Sequence, residues 1–206
     1  MKKLLFLVVS TFSLLSIGCS EPAPPAAKKE PPKAAEPVSG QTALYKMYSV
    51  ARAAWSSDAF VLKMNSIDLT DVPSTPGKAG AWQATFTSER LSKSKTYTFS
   101  VIEQEGNLHQ GTFALGEESW SGHLGVNTAF DIRNATVDTD VAYKAADEKS
   151  ADVDAKTPGM AISFTLEKIT KFNGPVWRVI WGESAGTSNY SVYVDASTGK
   201  YLEKMH

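Results

Sequence analysis

Apolar and polar residues alternate in much of the chain, which marks it as rich in β-strand. Between residues 174 and 202 the chain reads as two strands closed by a turn, and Trp177, Val179 and Trp181 share one face. Side chains of a strand point to alternate faces of a sheet, so this period of two predicts a sheet with one buried face. The same pattern predicts further strands over residues 81–88, 96–103, 108–115 and 160–166, and proline and glycine predict a loop over residues 71–80. Residues 59–69 could continue the preceding helix or form a strand, and the alternation of Phe60, Leu62 and Met64 favours the strand.

Two segments have the three- and four-residue spacing of an amphipathic helix. Residues 41–58 are the first predicted helix, whose apolar residues lie along one stripe, and Thr42 is its candidate N-terminal cap. Residues 138–151 are the second predicted helix. Asp138 and Asp140 stand at its start, where the positive end of the helix dipole stabilises carboxylates. We expect each helix to pack on its neighbouring strands.

The two halves of the chain share a pattern of aromatic residues. The matched pairs are Trp82 with Trp177, Tyr97 with Tyr190, and Tyr45 with Tyr143. Their separations differ by a few residues, as loop insertions would produce, which indicates an internal repeat. The prediction is an α+β fold of two tandem units, each a helix laid across an antiparallel sheet, at residues 41–116 and 132–206 with a connector over 117–131.

The first residues have the layout of a bacterial export signal. A basic start precedes a short apolar stretch, and residues 16–19 end in Gly18 and Cys19. This predicts a lipoprotein signal peptide over residues 1–18 and lipidation of Cys19, which would tie the protein to the membrane of the cell envelope. The alternative is an ordinary secreted protein cut nearby. Ser20 favours the periplasmic side of the outer membrane if the cell is Gram-negative, and residues 19–40 read as a Pro/Ala-rich tether.

The C-terminal half resembles the PepSY family of small extracytoplasmic domains. The resemblance rests on the Ala-rich start of the helix after residue 138, the Trp-containing strand from Val176 to Gly182, and the Asp-Ala-Ser-Thr-Gly-Lys turn at 195–200. It covers residues 132–202, whereas the first half lacks that turn. It implies a cystatin-like αβ fold and a role in restraining a peptidase or binding a partner.

Composition excludes several kinds of site. A single cysteine permits neither an intrachain disulfide nor a cysteine zinc site, and three histidines far apart do not indicate a metal centre. A net charge of −1 gives no field that would attract nucleic acid. We therefore expect no cofactor and no metal.

Catalytic motifs are missing from the sequence as well. No Gly-x-Ser-x-Gly motif occurs. Ser121 and His123 are the only serine and histidine close together in the sequence, but closeness in sequence does not show that their side chains could act as nucleophile and base. Trp120 stands in a polar, glycine-flanked segment, so we expect it, with His123, on a partner-binding surface.

The leading hypothesis is a non-catalytic, lipid-anchored envelope protein that binds a protein or peptide partner by strand addition at a sheet edge. The alternative is a small-molecule carrier with an apolar pocket between helix and sheet, or between the two halves.

Overall fold

The structure is a computed structural model, and it describes residues 34–150, 159–188 and 190–205. The predicted signal peptide, Cys19, most of the tether and the end of the predicted second helix lie outside the described residues. Neither helix within the described ranges is long and apolar enough to cross a membrane.

The elements follow one another in the order that the two halves predict. The first half contains β1 (Val38–Ser39), α1 (Gly40–Ala54), β2 (Phe60–Ile67), β3 (Lys78–Ala79), β4 (Ala81–Ser88), β5 (Lys93–Ser100) and β6 (Gly111–Ser119). The second contains β7 (His123–Leu124), β8 (Asn127–Thr128), a 3-10 turn (Ile132–Asn134), α2 (Thr139–Asp147), β9 (Ile162–Glu167), β10 (Val176–Trp181), β11 (Tyr190–Asp195) and β12 (Tyr201–Met205).

Eight of these strands form one sheet in the order β12-β11-β10-β9-β2-β4-β5-β6, and every neighbouring pair is antiparallel. Each half contributes four strands that are neighbours in the sheet. The halves meet where β2 pairs with β9, with Lys63 opposite Glu167 and Asn65 opposite Thr165. The molecule is thus α+β, with one large antiparallel sheet and two short helices in the described part.

Both helices pack on the same face of this sheet, where the hydrophobic core lies. Trp177, Val179 and Trp181 are exposed by 1%, 0% and 1%, so the predicted buried face is confirmed. Trp82 is fully buried in the same layer. These aromatic side chains remove large apolar areas from water and anchor the helix–sheet contact.

The two matched tryptophans make equivalent hydrogen bonds. Trp82 Nε1 donates to the carbonyl of Val38 at 3.2 Å, and Trp177 Nε1 donates to the carbonyl of Val137 at 2.7 Å. Each carbonyl belongs to the residue directly before the N-cap of a helix. Each indole therefore fixes the start of the helix that precedes it in the chain.

The amino ends of the two helices meet in a hydrogen-bonded joint. The Oδ1 atom of Asp138 accepts the N–H of Thr139 at 2.7 Å and, from the other helix, that of Gln41 at 2.9 Å. Thr139 Oγ1 accepts the N–H of Gly40 at 2.8 Å and donates to the carbonyl of Gly77 at 2.5 Å. These bonds satisfy helix N–H groups that have no partner within a helix, and they join the two halves.

Close packing at the joint explains two glycines. A Cβ on Gly40 would lie 2.7 Å from Thr139 Cγ2 and 2.8 Å from the Trp177 ring. Gly77 has a φ of +77°, and a Cβ there would lie 2.5 Å from the Cα of Asp140. Only glycine allows backbones to approach this closely.

Several local predictions need correction. Thr42 is not the cap of α1: Ser39, in an extended conformation, caps the helix and its Oγ accepts the N–H of Thr42 at 3.4 Å. The predicted loop over 71–80 contains β3, which pairs with β1. The strand predicted over 108–115 is shifted to Gly111–Ser119, because residues 101–110 fold back and Thr98 Oγ1 donates to the carbonyl of Asn107 at 2.6 Å.

Candidate functional site

Polar side chains line the face of the sheet that the helices leave open. Lys63 and Asn65 alternate with core residues along β2, and Thr165 and Glu167 do so along β9. Cross-strand partners lie on the same face and about 5 Å apart. These four residues, the seam residues, therefore form one patch where the halves join.

The seam residues differ from the hydroxyl groups around them. Thr85 and Thr96 share a hydrogen bond at 2.8 Å, and Ser100 Oγ donates to the carbonyl of Ile102 at 2.6 Å. Within the described ranges, the seam side chains form neither a hydrogen bond nor an ion pair with other protein groups. Thr165 and Glu167 are each only 8% exposed. Their polar atoms have no protein partner in the described part and reach solvent on the open face of the sheet, so they can bond a ligand placed there.

The loop between β10 and β11 borders the patch and turns it into a groove, which we name the seam groove. Its volume is about 290 Å³. The polar residues that line it are Lys63, Asn65, Ser66, Ser163, Thr165, Glu183 and Ser184. A cavity of about 380 Å³ adjoins it and shares Ser66, Ser163 and Glu183.

Hydrogen bonds hold the wall of the seam groove in place. Ser163 Oγ donates to the carbonyl of Gly182 at 2.9 Å, and the N–H of Gly182 donates to the carbonyl of Ala161 at 2.7 Å. At the other end of the loop, Ser188 Oγ donates to the carbonyl of Trp181 at 2.5 Å. These bonds attach the start of the loop to β9 and tie its end back to Trp181.

Beyond the groove, a charged cluster occupies the open face over β10 and β11. Arg178 Nε donates to Ser191 Oγ at 2.9 Å, and its guanidinium lies 5.5 Å from the centre of the Tyr193 ring. Burial raises the pKa of Tyr193, and both Arg178 and Glu167 act electrostatically on its hydroxyl. Glu167 therefore lies close enough to this cluster for its charge to act on Tyr193.

The second candidate surface is the outer edge of β6. This strand has nine residues and ends the sheet, and no strand in the described part pairs with its outer side. Phe113 is 37% exposed. Beyond a bulge at residues 115–116, Glu117 lies 3.8 Å from Lys95, and Glu118 is exposed.

The two residues predicted to bind a partner lie just past β6, and the structure does not bring them into one cavity. Trp120 is half-buried, and its backbone N–H donates to the carbonyl of Ser92 at 3.1 Å. Trp120 lines a depression of about 330 Å³ with Glu89 and Ser92, and His123 is not among its lining residues. His123 is exposed in the β7–β8 hairpin. A binding role for either residue stays a prediction.

Two further polar clusters support turns. The Asp58 carboxylate accepts hydrogen bonds from Ser56 Oγ at 2.5 Å and from Ser88 Oγ at 2.7 Å. These bonds hold the pKa of Asp58 well below its usual range, and the bond from Ser56 has the larger effect. His109 Nδ1 lies 2.6 Å from Glu103 Oε1 in the loop before β6, not in a strand as predicted. Hydrogen bonds lower the pKa of Glu103, and the bond from the backbone N–H of Gln110 has a larger effect than the one from His109.

Sequence reasoning missed the seam residues. Their signal is the polar half of the alternation in β2 and β9, which shows that they share a face with other polar residues. It does not show that β2 and β9 are neighbours, and only that pairing brings the four side chains together.

Within the described ranges, no group of three His, Cys, Asp or Glu residues could hold a metal.

Comparison with known proteins places the chain in no family. No family model matches it, and no curated protein matches it. Among solved structures, it is similar to the crystal structure of a candidate lipoprotein from Clostridium difficile, with a TM-score of 0.41 and 11% identity over 79% of this chain and 91% of that chain. The resemblance to PepSY domains therefore stays a prediction.

Proposed function

We propose that this protein is a non-catalytic binding module of the bacterial envelope, anchored through lipid on Cys19, and that a protein partner adds a strand to β6. The observation that carries the proposal is the exposed nine-residue edge of β6. An edge strand presents unpaired N–H and C=O groups, which are a template for an extended segment of another chain.

The composition of β6 limits where a partner strand pairs. Residues 111–115 are uncharged, whereas the bulge and the two glutamates that follow oppose pairing. The binding segment is therefore about five residues long, a typical length for a strand.

Side chains on both faces of the edge supply contacts for that segment. Phe113 lies on the open face, since it is opposite Thr98. On the helix face, Lys46 Nζ lies 5.6 Å from the centre of the Phe99 ring, so this flank of α1 faces β5 and β6. Val50 is one turn further along the same flank and is 36% exposed. An added strand would bury both Phe113 and Val50.

The two edges of the sheet provide a matched experiment. Phe113 on β6 and Tyr201 on β12 are exposed by 37% and 38%. A partner crosslinked in the envelope should be lost from the Phe113→Lys variant and kept by Tyr201→Lys. The two changes should cost a similar free energy of unfolding, about 1 kcal/mol each, since both side chains are equally exposed and each makes a ring contact, Phe113 with His109 and Tyr201 with Lys149. Equal recovery of the partner by both variants would refute strand addition at β6.

The proposal includes a common origin for the two halves as tandem PepSY-like units. Its support is the equivalent bond that Trp82 and Trp177 each make to the residue before a helix cap. The same four-strand order runs outward from β2 and from β9. The alternative of a carrier with an apolar pocket between helix and sheet stays a prediction, and the seam groove is polar and lies on the opposite face.

A further inference from the structure

We infer that the seam groove is a second binding site, for a short zwitterionic peptide of about three residues whose carboxylate meets Lys63 and whose ammonium group meets Glu183. This site goes beyond strand addition at β6 and does not depend on it. The inference rests on the charges at the two ends of the groove, the unpartnered polar groups between them, and the volume.

The charged residues stand at opposite ends. Lys63 is opposite Glu167 at the end of β9. Glu183 follows Gly182, which is bonded to Ala161 and Ser163 at the start of β9. Four to six residues of strand separate these levels, or about 13–20 Å at 3.3 Å per residue. An extended tripeptide spans about 10 Å, and the side chains of Lys63 and Glu183 would cover the remaining distance.

Lys63 is available to a ligand carboxylate. It lines the groove, and no carboxylate in the described part lies within ion-pair distance of its Nζ. Glu167 is its cross-strand neighbour but does not line the groove. A charge-assisted hydrogen bond between an ammonium and a carboxylate is among the stronger polar contacts.

The middle of the groove matches peptide groups. The Asn65 amide can both donate and accept, and the Thr165 hydroxyl can do the same. Thr165 is more than nine-tenths buried and bonds no protein group in the described ranges. Its hydroxyl reaches solvent, so a peptide N–H or C=O placed here could bond it. The one aromatic residue lining the groove, Phe164, is 1% exposed, so a sugar ring would find no surface on which to stack.

The volume favours a small ligand over a long one. About 290 Å³ is at the lower end of the range for ligand pockets. The loop at residues 182–188 borders the groove, and its bonds to β9 and to Trp181 hold it there. A free peptide of a few residues fits these limits.

The experiment titrates the full chain with trialanine by calorimetry, together with its N-acetyl form, its C-terminal amide and the doubly blocked form. Free trialanine should bind about tenfold more tightly than either singly blocked peptide, since each loses one charge-assisted bond. Lys63→Gln should weaken binding of the free peptide about tenfold and abolish the effect of amidation. Glu183→Gln should abolish the effect of acetylation.

Two control variants test whether trialanine binds in the seam groove rather than elsewhere on the protein. Lys95→Gln removes a half-buried lysine from another strand of the sheet, and it should leave the affinity for trialanine unchanged. Phe113→Lys should also leave it unchanged, so failure of strand addition and failure of this site are distinguishable. The inference is overturned if the doubly blocked peptide binds as tightly as the free one, if blocking has the same effect in the variants, or if no form binds at millimolar concentration.

Discussion

The joint between the helix amino ends gives the sharpest test of how the fold is stabilised. Thr139 is completely buried, and its hydroxyl links Gly40 at 2.8 Å and Gly77 at 2.5 Å. Thr139→Val keeps the shape of the side chain and removes both bonds. Each buried polar group left without a partner costs about 1–3 kcal/mol, so the variant should lose roughly 2–5 kcal/mol of stability.

Thr139→Ser is the matched control, because it keeps the hydroxyl and deletes one buried methyl group. That deletion costs about 1 kcal/mol. Equilibrium unfolding in urea should show the valine variant well below the serine variant, with similar m-values. For a protein of this size, 1 kcal/mol shifts Tm by about 2–4 °C, so the valine variant should melt roughly 5–15 °C lower than the wild type. A serine variant as unstable as the valine variant would refute the reasoning.

Three more predictions concern stability. Gly40→Ala should destabilise the protein despite better helix propensity, since the new Cβ would lie 2.7 Å from Thr139 Cγ2; urea unfolding measures the loss, and a gain would contradict it. Trp82→Phe and Trp177→Phe should each cost about 1–3 kcal/mol, the penalty for an unpartnered carbonyl, and similar losses in thermal melts are expected from their equivalent bonds. Hydrogen bonds lower the pKa of Asp58, so its contribution to folding stability is present above the ordinary pKa of 3.8 and is lost as pH falls through the pKa of the folded state. Asp58→Asn should therefore be less stable than wild type at pH 6 and equally stable in strong acid. A stability difference that does not change with pH would exclude this role.

Alternation in the sequence predicted which residues of β10 face the helices, but it did not predict that Val176 and Ile180 on the other face are buried as well. Trp177, Val179 and Trp181 each belong on the core side because a one-residue slip would expose all of them. The position of Asp138 at the start of α2 was equally predictable, since an acidic cap before an amphipathic stretch satisfies backbone N–H groups.

Long-range pairing and local caps were less predictable. Alternation assigns a face to a strand but does not choose its neighbour, so the pairing of β2 with β9, and with it the seam groove, could not be inferred. The cap at Ser39 was missed because Ser39 and Thr42 both carry a hydroxyl group near the start of the helix, and the sequence alone does not show which of them is the N-cap. The bulge in β6 depends on how residues 101–110 fold back, which no local pattern specifies.

The carboxylate of Asp138 serves two helices at once. Each helix carries about half a positive charge at its amino end, and here two such ends approach one another. By bonding both Gln41 and Thr139, this single anion turns a repulsive meeting into an attractive one. A chain cut between β6 and α2 would leave α1 without that counter-charge, so α1 should be held less firmly in the isolated first piece, and the whole chain should melt in a single step.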